Sequence, residues 1–215
     1  MRGGRSGPAP RRVGVLGLTA HILVLSLAGC TARAPSNLDN SCAIFDEKRS
    51  WYRATSRSQK RWGVPIHVQL AIIHQESRFQ ADAKPPRRKI LWIIPGPRPS
   101  TAEGYTQALD ITWDEYRKLT GNRGADRDDF DDSVDFIGWY GDRSTRRAGI
   151  SRSDAYRQYL AYHEGAGGYL RGTYKNKGWL VRVAAKVRDR ADRYRRQLTT
   201  CEDRFKARWW QFWRR

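Results

Sequence analysis

The segment His74-Gln75-Glu76-Ser77-Arg78-Phe79 sets a carboxylate at the end of an apolar stretch. Ile66, Leu70 and Ile73, with Val68, Ala71 and Ile72, make that stretch apolar on most sides of a helix, so the helix is buried. Pro65 suits its first turn. Glu76 then lies at the C-terminal end of a buried helix, partly removed from water and near the negative end of the dipole. Both effects favour the protonated form. A carboxylic acid that stays neutral near pH 7 is what general-acid catalysis requires. His67 and His74, on the same helix, read as packing or surface residues and not as ligands.

Two further segments carry chemistry-bearing residues. Gly104-Tyr105-Thr106-Gln107-Ala108 follows a long loop, and Ala161-Tyr162-His163-Glu164-Gly165-Ala166-Gly167-Gly168-Tyr169 ends a helix in a Gly-rich turn. With Glu76-Ser77 they resemble the lytic transglycosylase family of soluble-type, goose-lysozyme-like domains. That family's pattern is a Glu-Ser pair, then Gly-Leu-Met-Gln, then Ala-Tyr-Asn followed by glycines. All three motifs occur here in that order, from Glu76 to Tyr169. The departures are local. Tyr105-Thr106 stands for the Leu-Met, His163 stands for the Asn, and the interval from Glu76 to Gly104 is lengthened by a proline-rich loop.

The resemblance implies a lysozyme-like helical fold and one catalytic group. Glu76 would protonate the oxygen linking N-acetylmuramic acid (MurNAc) to N-acetylglucosamine (GlcNAc) in peptidoglycan. It would then take the proton of the C6 hydroxyl as a 1,6-anhydro ring closes. Ser77 would orient the acid or the substrate, and Gln107 would hydrogen-bond an N-acetyl group. Tyr105 stands in the same binding segment. Tyr162 would position Glu76 or the sugar, and His163 would replace the Asn amide as a donor. This chemistry needs no second carboxylate, unlike the usual two-carboxylate glycosidases. Glu164 and Asp110 are the acids near the motifs that would serve a hydrolytic muramidase of the same fold, the alternative reading. A peptidoglycan-binding lipoprotein without turnover is another, and a basic membrane-active protein acting through its C-terminal tail a third.

Metal chemistry finds no support. His163-Glu164 has Gly167, not histidine, where a zinc-protease helix needs its second ligand, and no Cys-x-x-Cys spacing occurs. No cofactor is expected.

The first thirty residues read as an export signal. Arg2, Arg5, Arg11 and Arg12 precede an apolar stretch from Val13 to Ala28 that is too short for a comfortable membrane span. It closes in Leu27-Ala28-Gly29-Cys30, which looks like the lipobox of bacterial lipoproteins. That resemblance implies cleavage after residue 29 and lipid on Cys30. Thr31 lacks the aspartate that signals inner-membrane retention, so a periplasmic, outer-membrane location is expected. Residues 30–41 read as the lipidated cysteine and a polar tether, and residues 42–201 as one domain. An exported pair, Cys42 and Cys201, reads as a disulfide. The formal net charge of +19 favours polyanionic surroundings, and export argues against nucleic acid. A monomer bound to glycan strands is expected.

The positioning elements are mainly α. The spacing predicts helices over Ala43–Trp62, Thr112–Leu119, Asp131–Tyr140, Ser153–Tyr162 and about Leu180–Leu198, with Thr112-Trp-Asp-Glu115 as a capping box. Ala83–Pro99 holds five prolines around Ile90-Leu91-Trp92-Ile93-Ile94, a long loop with room for a brief β element. Residues 202–215 read as a basic, aromatic tail whose Trp209, Trp210 and Trp213 suit a membrane interface.

Overall fold

The computed structural model describes residues 1, 3, 33–87, 89–90 and 94–206. Cys30 and the tail aromatics Trp209, Trp210 and Trp213 lie outside the described residues. Within them the protein is mainly α, in the order α1 (Ser41–Glu47), α2 (Arg49–Trp62), α3 (Ile66–Ser77), α4 (Asp110–Thr120), α5 (Phe130–Ala148), α6 (Ala155–Leu170) and α7 (Gly178–Cys201). The proline-rich loop contributes one antiparallel pair, β1 (Lys89–Ile90) with β2 (Ile94–Pro95).

Helix α3 is the axial element. Val68, Leu70, Ala71 and Ile73 are fully buried, so nearly every side of it meets protein. It ends where Arg78 takes the left-handed cap (φ 52°), and its N–H bonds the His74 carbonyl. Phe79 is left-handed too (φ 61°). Two such non-glycine residues in succession are costly. The return is burial of Phe79, which stacks on Trp51 at 5.7 Å and meets His74 edge-on at 5.9 Å. Trp51 also stacks on Phe130 at 3.8 Å, which fastens α2 to α5.

Glycine lets α2 and α5 approach closely. A Cβ on Gly138 would lie 2.3 Å from Ser58 Oγ and 2.6 Å from Trp62 Cδ1. Ser58 uses that closeness, donating to the Val134 carbonyl at 2.7 Å. A second aromatic cluster, Trp113, Tyr116, Phe136 and Trp139, joins α4 to α5. It continues through Tyr140 to Tyr162 of α6, ring centres 5.0 Å apart.

Several expected boundaries shift. The single helix expected over Ala43–Trp62 is two, broken at Lys48 (ψ 68°). The expected capping box at Thr112 is absent: α4 starts at Asp110, its N-cap Leu109 makes no side-chain cap bond, and Thr112 lies within the helix. Helices α5 and α6 run well past Tyr140 and Tyr162.

The segment before α1 is fastened along α7. Tyr194 donates its hydroxyl to the Leu38 carbonyl, and Gln197 bonds both the Asp39 carbonyl and the Ser41 N–H. A disulfide joins Cys42 to Cys201. Beyond it, Phe205 remains packed against Phe45 and Tyr52, so the fold reaches past residue 201. No helix among the described residues is long and apolar enough to cross a membrane.

Candidate active site

Glu76 opens into a cavity of about 610 Å³. Its walls come from the segment between Ala102 and Leu109, from Thr112 of α4, from Phe136 and Tyr140 of α5, and from Tyr162 to Gly165 of α6. Loss of water contact pushes the Glu76 carboxyl up to about 7, against the pull of a hydrogen bond from Tyr159. Near neutral pH both forms of this acid are therefore accessible, so it can give a proton and take one.

Tyr159 is buried, and its own acidity falls through desolvation and the neighbouring carboxylate. Its hydroxyl therefore stays a donor to Glu76. Tyr159 lies outside the three sequence motifs. The available signal was its spacing, three residues before Tyr162 and so on the same face of α6.

The second and third motifs are locked together. Tyr162 donates its hydroxyl to the Thr106 carbonyl at 2.7 Å. The same loop is pinned where Gly104 N–H meets the Ala83 carbonyl at 2.9 Å and Tyr105 N–H meets the Arg127 carbonyl at 3.1 Å. Gln107 sits in the left-handed region (φ 51°), and its Nε2 donates to the carbonyls of Ala83 and Gly104. Both amide hydrogens are thus engaged within the loop, and the Oε1 acceptor remains for a ligand.

Other expected site residues turn away. Ser77 is buried and bonds the Ile73 carbonyl at 3.2 Å, one helical turn back. Tyr105 is fully buried beside Trp51 and Phe130, and its hydroxyl has no partner among the described residues. Both hold up the site's scaffold and do not line the cavity. Desolvation lowers His67 and His74 to about 4, so both are neutral packing groups.

Glu164 is the second carboxylate in the wall. Its Oε1 accepts from Lys177 Nζ at 2.7 Å and lies 2.9 Å from His163 Nδ1, and its Oε2 accepts from Thr173. Burial alone would raise it, but these donors outweigh burial and hold it at about 2. An ionised carboxylate only accepts, so His163 donates from Nδ1 and keeps only Nε2 for another partner. Trp179 meets His163 edge-on at 5.1 Å and is 49% exposed, unlike the core tryptophans Trp113 and Trp139. Asp110 pairs with Arg127 at 2.6 Å and takes no part in the cavity wall. Among the described residues no group of three or more His, Cys, Asp or Glu side chains is arranged to hold a metal ion.

The arrangement is one protonatable acid in a groove with acceptors and aromatic faces around it. The family model for the transglycosylase SLT domain matches residues 18–201. No curated protein and no solved structure was found to match the chain.

Proposed function

The chain belongs to the transglycosylase SLT domain family, which acts on peptidoglycan, and from that premise we propose that it is an envelope lipoprotein cleaving the MurNAc-β-1,4-GlcNAc bond with Glu76 as both acid and base. One observation carries this reading. The groove holds a single carboxyl tuned to about 7, while its other carboxylate is tied to three donors.

Protonated Glu76 gives its proton to the glycosidic oxygen as the bond to the muramyl anomeric carbon breaks. The GlcNAc leaves with that proton. The muramyl N-acetyl oxygen supports the electron-poor carbon. Glu76, now ionised, takes the proton of the C6 hydroxyl, whose oxygen closes on the anomeric carbon. The product is a 1,6-anhydro end, no water is consumed, and the acid returns to its starting state. Tyr159 stabilises the ionised Glu76 in mid-reaction by its hydrogen bond. Gln107 Oε1 accepts from an acetamido N–H, and Tyr162 holds the loop that carries Gln107.

A hydrolytic route needs a second carboxylate to activate water or to attack the sugar. Glu164 suits neither role. At about 2 it is too weak a base for water, and its oxygens are already engaged. Lipid on Cys30 anchors the protein, with the outer membrane as its site and Trp209, Trp210 and Trp213 at the interface.

The test is mass spectrometry of purified peptidoglycan after incubation with the processed protein in detergent, beside Glu76→Gln. Anhydro-muropeptides from the wild type alone are expected. Reducing ends would transfer the reading to a muramidase. Binding without product from either protein would leave a wall-binding lipoprotein.

A further inference from the structure

The cavity around Glu76 does not end at α6. A smaller polar annex of about 230 Å³ adjoins it and shares Thr112, Tyr140 and Gly165 with it. Helix α6 breaks at this junction. Gly165 adopts φ 69° and ψ 159°, a conformation glycine takes and side-chain-bearing residues avoid. One wall of the annex is therefore the nearly bare backbone of Gly165, Ala166 and Gly167.

The other wall is charged. Arg143 and Arg147, one turn apart on α5, line the annex with Glu115 of α4. Glu115 is already matched, since Arg143 Nη1 lies 2.5 Å from its Oε2 and is held over the Trp139 ring. Arg147 is exposed and has no ion pair among the described residues. The annex thus carries one uncompensated guanidinium, a fork suited to carboxylate.

The sugar rings of the strand are uncharged. The carboxylates lie on the lactyl branch of the muramyl ring, either as the free lactyl acid or on the peptide attached to it. Resting on the function proposed above, we infer that the annex is a subsite for this carboxylate-bearing branch, with Arg147 as its specificity-determining residue. A branch leaving the muramyl ring beside Glu76 enters between the bare turn of α6 and the α5 arginines. The missing side chain at Gly165 makes room for it, and Arg147 closes on its anion.

The test is calorimetric titration of soluble disaccharide muropeptide, and separately of the same disaccharide stripped to the free lactyl acid. The proteins are the full processed chain, Arg147→Ala, Arg147→Lys and Arg182→Ala, the last an exposed arginine outside both cavities. Arg147→Ala is expected to weaken muropeptide binding roughly tenfold, with Arg147→Lys between it and wild type and Arg182→Ala unchanged. A loss confined to the intact muropeptide assigns the anion to the peptide, and an equal loss on both ligands assigns it to the lactyl acid. Unchanged affinity in Arg147→Ala, or an equal loss in Arg182→Ala, would overturn the subsite. Because binding is read without turnover, a wild type that binds through Arg147 but forms no anhydro product would overturn the catalytic reading alone.

Discussion

Glu76 titrates near 7 because the fold withholds water from it, and that has two measurable consequences. If Glu76 must begin protonated, kcat/KM stays level at acidic pH and falls about tenfold per pH unit above about 7. Tyr159→Phe removes the bond that favours the carboxylate, so the falling limb should move to higher pH while kcat drops about tenfold. A limb that stays in position would exclude Tyr159 as the tuning group. The second consequence concerns stability. A carboxyl raised from 4.5 binds its proton more tightly folded than unfolded, so folding is penalised as pH rises through that interval. Glu76→Gln should therefore match wild type near pH 4.5 and exceed it at pH 8, by on the order of 1–3 kcal/mol in urea melts. Equal stability at both values would mean that Glu76 is not desolvated. The desolvation of Glu76 was legible in the sequence, because a carboxylate ending a largely apolar helix is a visible conflict. Ser77 and Tyr105 were not, because a motif gives the order of residues and not the direction of a side chain. Ser77 bonds its own helix, and Tyr105 fills the space beside Trp51.

At the scale of elements, the site depends on α6 failing to be continuous. Its first part carries Tyr159 and Tyr162, and the break at Gly165 opens both cavities. The cluster of glycines was legible as a turn, but a helix resuming after it was not, since glycine-rich sequence argues against helix. The resumed turn is held from outside: Tyr169 stacks on Tyr174 at 5.4 Å. The start of α4 was misplaced for a related reason. Asp110 N–H meets Thr101 Oγ1 at 3.1 Å, a partner nine residues away that local capping rules do not reach. Gly165→Ala tests the break directly. A Cβ there would meet the Tyr140 hydroxyl at 4.0 Å, an ordinary contact, so the penalty is conformational, about 1–3 kcal/mol. Far-ultraviolet dichroism should be retained, with anhydro-product formation down at least tenfold. Full activity would mean that the groove tolerates a continuous α6.

At the scale of the molecule, the lower half of α7 is a fastening strip. Asp39 pairs with Arg193 at 3.1 Å, Ser41 Oγ meets the Tyr194 carbonyl at 3.2 Å, and the Cys42–Cys201 disulfide crosses beside them. The bridge spans a sequence separation of 159 residues. A loop of that length corresponds to about 5 kcal/mol in the chain-entropy picture, and measured losses are commonly 2–4 kcal/mol. The cavity lies toward the other end of the same helix, where Lys177 precedes its first turn and holds Glu164. At 1.5 Å per residue, the bridge is roughly 36 Å along α7 from that contact. Stability and catalysis should therefore separate. Cys42→Ser with Cys201→Ser is expected to lower Tm by roughly 5–12 °C in scanning calorimetry, yet leave kcat at 25 °C within about twofold. A matching loss of kcat in molecules that remain folded would mean that α7 transmits the strip's geometry to Glu164. An unchanged Tm would mean that the hydrogen bonds of residues 36–41 hold α1 to α7 without the bridge.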